Sequence, residues 1–231
     1  MFRLLVLAIS CLTLAGFAAH SYVYLPEAWG LRGALSLLDP GAGGVRVLSV
    51  DEESSVPAWF SSSLLLLCSL FALSVSATDA EHPVRYAGRW KVLAIVLLLM
   101  SLDESVALHE KTIEPLRSAL NTGGPFYYAW VIPGAIFVLA FALAYRGFLL
   151  DLPPKTRRLF AVAGTLYVCG ALLVEMVGGV YADAYGKGGL SYLTITSVEE
   201  YLEMLGVATL LYALMLQTES PSARGLGDPR Y

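Results

Sequence analysis

The sequence is short of charge. Asp, Glu, Lys and Arg together make up 15% of its 231 residues, where a soluble domain carries about 25%. Histidine is scarce, with only His20, His82 and His109, and the three cysteines, Cys11, Cys68 and Cys169, fall singly inside apolar stretches. The lack of any CxxC pair excludes a disulfide framework and a thiolate zinc site, so the cysteines read as small buried residues. No run of Lys or Arg is present, which removes nucleic acid as a partner. A Walker loop, a dinucleotide fingerprint and a haem-attachment motif are also missing. So are internal repeats, linkers and low-complexity tracts, and the chain reads as a single transmembrane domain, residues 1–231.

What is abundant is apolar sequence: 57% of the residues are hydrophobic and the mean hydropathy is +0.65. The apolar residues come in six blocks, at about 4–24, 58–77, 90–109, 126–149, 159–181 and 198–217. Each is close to the roughly 20 residues that cross the hydrocarbon layer as a helix. Backbone polar groups cannot stay unpaired in lipid, and alternation of the barrel type is absent, so the blocks are expected to be helices. The expected fold class is therefore all-α: an integral membrane bundle of about six transmembrane helices, with the lipid bilayer as its surroundings. Arg3 and the apolar run to Ala19 imitate a secretory signal, with Phe17-Ala18-Ala19 in the place of a cleavage site. The segment is expected to be retained as the first span.

Lys and Arg set the orientation. Ten of them (Arg3, Arg85, Arg89, Lys91, Arg146, Lys155, Arg157, Arg158, Arg224 and Arg230) flank one side of the six blocks, and five (Arg32, Arg46, Lys111, Arg117 and Lys187) flank the other. The positive-inside rule then places both termini in the cytoplasm. The outward loops are the longer ones. Residues 27–38 look like a short interfacial helix ended by Asp39-Pro40-Gly41, residues 45–50 have extended character, and Pro57 and Trp59 mark re-entry. Residues 110–125 hold a second amphipathic stretch, with Ile113, Leu116 and Leu120 on one side and the turn Asn121-Thr-Gly-Gly-Pro125 at its end. Pro133-Gly134 is expected to kink the fourth block and widen a cavity there.

The acids carry the functional signal. Asp103 and Glu104 stand 12 and 13 residues past Lys91, roughly 18–20 Å in from the cytoplasmic end at 1.5 Å per residue. Glu175 lies 16 residues past Leu159, and Glu199, Glu200 and Glu203 occupy the first two turns of the sixth block. Three helices thus bring six acids to a similar depth in the outer half of the bilayer, with His109 and Glu110 just above. By helical periodicity Asp103 and Glu110 share a face, Glu199, Glu200 and Glu203 share another with Gly206, and His109 falls on the far side unless the helix breaks. Ala171, Gly178, Gly179 and Ala182 flank Glu175 and let helices approach closely.

No Lys or Arg lies at that depth, and so many adjacent carboxylates cannot all stay ionised without compensation. Protons, one or more divalent cations, or a water-filled cavity would supply it. An oxygen-rich set of Asp103, Glu104, Glu175, Glu200, Glu203 and His109 favours Mg, Ca or Mn over Zn or Fe. A di-iron bundle is poorly matched, because Glu200-Tyr-Leu-Glu203 lacks the histidine of Glu-x-x-His. Plainer readings compete. Ser197-Val-Glu-Glu200 spells a capping box, which would give Glu200 and Glu199 ordinary work at a helix start. Glu114 reads as a solvated loop acid. The tyrosines at 127, 128, 181, 185, 192 and 201 read as an interfacial belt, with one or two free to donate into the acidic layer. Ser101, Ser105 and Thr194 are the available nucleophiles, but none lies in a triad motif, and no catalytic residue is assigned.

Three stretches, Ser101-Leu-Asp-Glu-Ser-Val-Ala-Leu-His-Glu110, Tyr128-Ala-Trp-Val-Ile-Pro-Gly134 and Glu199-Glu-Tyr-Leu-Glu-Met-Leu-Gly206, together resemble a group of uncharacterised bacterial multi-pass membrane proteins, over about residues 57–216. The resemblance implies a bacterial inner-membrane location and brings no activity with it. The expectation is an outward-facing, carboxylate-rich cation or proton site between the third, fifth and sixth helices. The alternatives are an accessory or structural subunit of a larger membrane complex, or a homo-oligomer, in which the acids fix helix packing. A small transporter is a further alternative, although broken-helix pairs and inverted repeats are missing.

Overall fold

The computed structural model describes residues 1–24, 47–50, 55–77 and 86–219, and their regular structure is helical throughout. The helices are α1 (Phe2–Tyr24), α2 (Val56–Ala77), α3 (Ala87–Val106), α4 (Leu108–Leu120), α5 (Val131–Asp151), α6 (Pro154–Val168), α7 (Glu175–Tyr185) and α8 (Gly189–Glu219). A 3-10 turn, Gly124–Phe126, precedes α5, and a π-helical turn, Cys169–Val174, joins α6 to α7. Five segments are long and apolar enough to cross a membrane, or six when α3 and α4 count as one bent span. The chain is thus a multi-pass membrane protein. The interfacial helix expected at 27–38 with its turn at 39–41, the first part of the stretch 45–50, and His82, Arg32, Arg46, Arg85, Arg224 and Arg230 lie outside the described residues.

The central helix is α8, which packs against α1, α2, α6 and the π turn, while α2 packs most extensively on α3. Small residues explain that pairing. Ser61, Ser62, Ser69 and Ala72 of α2 are buried, as are Ala94 and Ser101 of α3. Ser69 Oγ donates to the Ala94 carbonyl at 2.7 Å, Ser62 Oγ to the Ser101 carbonyl at 2.8 Å, and Ser101 Oγ back to the Ser62 carbonyl at 2.8 Å. Between membrane helices there is little hydrophobic drive, so close backbone approach and such bonds, on the order of 1 kcal/mol each, supply the adhesion. At the arginine-rich end Trp90 is buried and meets Phe148 edge-to-face at 4.8 Å. Trp59, near the start of α2, stays exposed. All three cysteines are free thiols.

The element ends differ from the expected blocks in four places. Helix α3 stops at Val106, where Ala107 takes a left-handed conformation (φ 52°), and α4 leaves at 78°. Helix α5 begins only at Val131, so Pro133 falls in its first turn. There the missing N–H costs nothing. The fifth span continues through a π turn, which shifts the helical register of everything after Cys169. Finally, α8 starts at Gly189. Ser197 is therefore interior, its hydroxyl has no hydrogen-bond partner, and the capping box expected at Ser197–Glu200 does not form.

Candidate functional site

The bend after α3 is built by Asp103. Its Oδ1 accepts the backbone N–H of His109 at 2.9 Å, and its Oδ2 lies 2.7 Å from His109 Nδ1. The second residue of α4 has an N–H with no intrahelical partner, and a carboxylate there satisfies it and favours the helix dipole. One side chain thus caps α4 from the last turn of α3, offsets the strain of a non-glycine residue at positive φ, and orients an imidazole. The helix break is the condition under which His109 joins Asp103 rather than facing away. Only Nε2 remains as the ring's second polar atom.

Trp130, just ahead of α5, lies over His109 with ring centroids 4.7 Å apart and donates its indole N–H to Glu175 Oε1 at 2.8 Å. Gly134 makes room for it: a Cβ there would come within 3.0 Å of the indole ring. Glu175 opens α7 immediately after the π turn. Its carboxyl group neighbours that of Glu199 on the cavity wall. Glu203, one turn further along α8, has Glu104 and Glu175 as charged neighbours and lies close to Tyr167. Ser61 of α2 is buried near Glu104.

Glycine sets how close these elements come. A Cβ on Gly170, in the π turn, would sit 2.8 Å from both the Glu199 carbonyl oxygen and Glu203 Cγ, and one on Gly206 would sit 2.8 Å from the Tyr167 amide nitrogen. The α6–α8 crossing is therefore a backbone-to-backbone contact that brings Glu199 and Glu203 against Glu175 and Tyr167. Glu203 stands fourteen residues after the start of α8 at Gly189, roughly 21 Å along it. The α8 acids are in its third and fourth turns, deeper than a helix beginning near residue 198 would put them.

The expected residues Asp103, Glu104, His109, Glu175, Glu200 and Glu203 all line one cavity of about 990 Å³. Glu110 and Glu199 share its wall. Among the described residues, no Lys or Arg forms an ion pair with Glu104, Glu175, Glu199 or Glu203. Among them, too, no group of three His, Cys, Asp or Glu side chains is placed to hold a metal ion. Glu114 is exposed and solvated, but on helix α4 rather than in a loop, and it pairs with Arg117 one turn on. Ser101 and Ser105 are tied to Ser62 (Ser62 Oγ to Ser105 Oγ 2.7 Å) and Thr194 bonds the Leu190 carbonyl of its own helix. None of the three lines the cavity.

Trp130, Tyr167, Ser61 and Gly170 were not singled out from sequence, although the stretch 128–134 was. The Trp130 indole reaches Glu175, and Tyr167 lines the cavity, from positions that a belt of outward tyrosines does not include. Of the six tyrosines in that belt, Tyr128 and Tyr192 are buried and bond each other at 2.7 Å, while Tyr185 is exposed. The π turn hid Gly170, because a uniform helical register past Cys169 aims the small residues elsewhere. No curated protein and no solved structure matches the chain. Residues 4–218 match the family described as Domain of unknown function (DUF8692), to which the chain belongs.

Proposed function

We propose that the protein is a bacterial inner-membrane protein with both termini in the cytoplasm, whose carboxylate cluster opens outward and takes up and releases protons or cations. The observation that carries this reading is that Glu104, Glu175, Glu199 and Glu203 line one cavity while, among the described residues, no Lys or Arg forms an ion pair with any of them. Carboxylates gathered in a medium of low dielectric repel strongly unless protons or cations compensate them. Acids within a membrane bundle are costly and face cavities or pathways when they serve a function. The Asp103–His109 pair contributes a group of a different kind. Its carboxylate is committed to the cap of α4, which leaves the imidazole to exchange a proton with the acids beside it. The orientation rests on the ten-to-five distribution of Lys and Arg.

Labelling of the purified protein by a hydrophobic carbodiimide, followed by peptide mapping, tests the reading. The reagent attacks protonated carboxyls in apolar surroundings. Adducts are expected on Glu175, Glu199 or Glu203, with labelling suppressed at alkaline pH. Acids that stay unlabelled from acid to alkaline pH, in folded protein exhaustively dialysed free of added cations, would overturn it.

A further inference from the structure

The cavity extends well beyond the acids. Helix α5 approaches α6 and the π turn and meets α3 at the arginine-rich end, through Trp90 on Phe148 and Tyr145 on the Arg89 carbonyl; beyond that contact a gap is left between α5 and α3. Its walls are Leu97 and Met100 of α3, Phe137 and Phe141 of α5, and Phe160 and Gly164 of α6. The carboxyls of Glu175, Glu199 and Glu203, with the site's other acids and His109, give the cavity its polar part, and most of the remaining wall is hydrocarbon and aromatic. Among the described residues Lys187 is the one Lys or Arg on the wall, and its ammonium is placed over the Tyr128 ring at 4.8 Å. A volume near 990 Å³ falls at the upper end of the roughly 300–1,000 Å³ typical of sites for drug-sized molecules.

We propose that this cavity binds a lipophilic cation of drug size, an ammonium head on a single hydrocarbon body. The head lies among Glu175, Glu199 and Glu203, and the body lies along the Phe137, Phe141 and Phe160 walls. Charge complementarity selects the head, because an ammonium group compensates the acids that no described Lys or Arg pairs. The apolar walls accept the body, since a hydrocarbon chain leaves no polar group unpaired against them and gains packing contacts. The proposal rests on the proton or cation reading of the acids and gives that site its ligand class.

The test measures binding of dodecyltrimethylammonium and of dodecanol, its neutral counterpart, to the full chain in nanodiscs. Two kinds of variant separate head from body. Glu199→Gln and Glu175→Gln alter the head site. Gly164→Leu alters only the apolar part, where an added Cβ meets nothing within 4 Å, and the exchange favours the helix. Wild type is expected to bind the cation at least about tenfold more tightly than the alcohol, a difference near 1.4 kcal/mol. The glutamine variants are expected to lose that preference, and Gly164→Leu to weaken both ligands. Equal binding of cation and alcohol, or cation binding unchanged in all three variants, would overturn the proposal. So would displacement of the probe by phosphatidylethanolamine, which would make a two-chain lipid the occupant. Carbodiimide labelling that persists while the cation preference is absent leaves the acid site standing and removes its ligand. Absent labelling with an intact preference does the reverse.

Discussion

The indole N–H of Trp130 meets Glu175 Oε1 at 2.8 Å, and this bond joins the start of α5 to the start of α7 across the acidic end of the cavity. It is the side-chain hydrogen bond that ties the loosely packed α5 to the carboxylate cluster. Removing the donor with Trp130→Phe keeps most of the ring and is expected to cost about 1–2 kcal/mol. Glu175→Gln keeps an acceptor oxygen and should cost less. Thermal unfolding in detergent compares the two. A Trp130→Phe protein that melts like wild type would show that the bond adds nothing to packing.

Asp103 makes a second, independent prediction. Because its carboxylate caps α4 through the His109 amide, Asp103→Ala should free that amide and the turn around Ala107. The expected loss is about 0.5–2 kcal/mol, the usual worth of a cap. Asp103→Asn preserves an acceptor and should recover most of it. Hydrogen exchange over residues 107–120 is the measurement, with faster exchange expected in the alanine variant alone. Equal exchange in both variants would mean that the bend is held by packing.

The α6–α8 crossing is tested by two glycines six positions apart. Gly170→Ala forces a methyl group into the Glu199 carbonyl and the Glu203 side chain, and overpacking of this kind costs about 1–3 kcal/mol. Gly164→Ala enters open space and should stabilise the helix by up to about 1 kcal/mol. Opposite shifts in melting temperature are expected. A neutral Gly170→Ala would contradict the close backbone contact.

Much of this architecture was legible in the apolar blocks, since six largely apolar runs long enough to span a bilayer have few other uses in a helical chain. The acids were legible too, because charge inside such runs stands out. Three things were not. The break at Ala107 has no proline or glycine to announce it. It is imposed by Asp103 reaching six residues forward, a contact whose partner is visible only in three dimensions. The π turn at Cys169–Val174 has no sequence signal, yet it resets the face on which Glu175 stands. The true start of α8 lay hidden in the weakly polar run Gly189–Ser197, where the Ser197–Glu200 pattern imitates a start that the chain passes over.

The donor geometry also decides what accompanies the acids in a purified sample. Asp103 is engaged with His109 and Glu175 with Trp130. Among the described residues no three His, Cys, Asp or Glu side chains gather around one point, and a divalent ion of the Mg or Ca type needs six or more oxygen ligands. Wild-type protein purified without chelators, with Mg, Ca and Mn supplied, is therefore expected to retain no stoichiometric metal by elemental analysis. Glu104→Gln, Glu175→Gln and Glu203→Gln should give the same background as wild type. Stoichiometric metal in the wild type that disappears in these variants would mean that the cluster rearranges around an ion. The protons and ammonium heads proposed for it would then have to give way to metal-assisted chemistry.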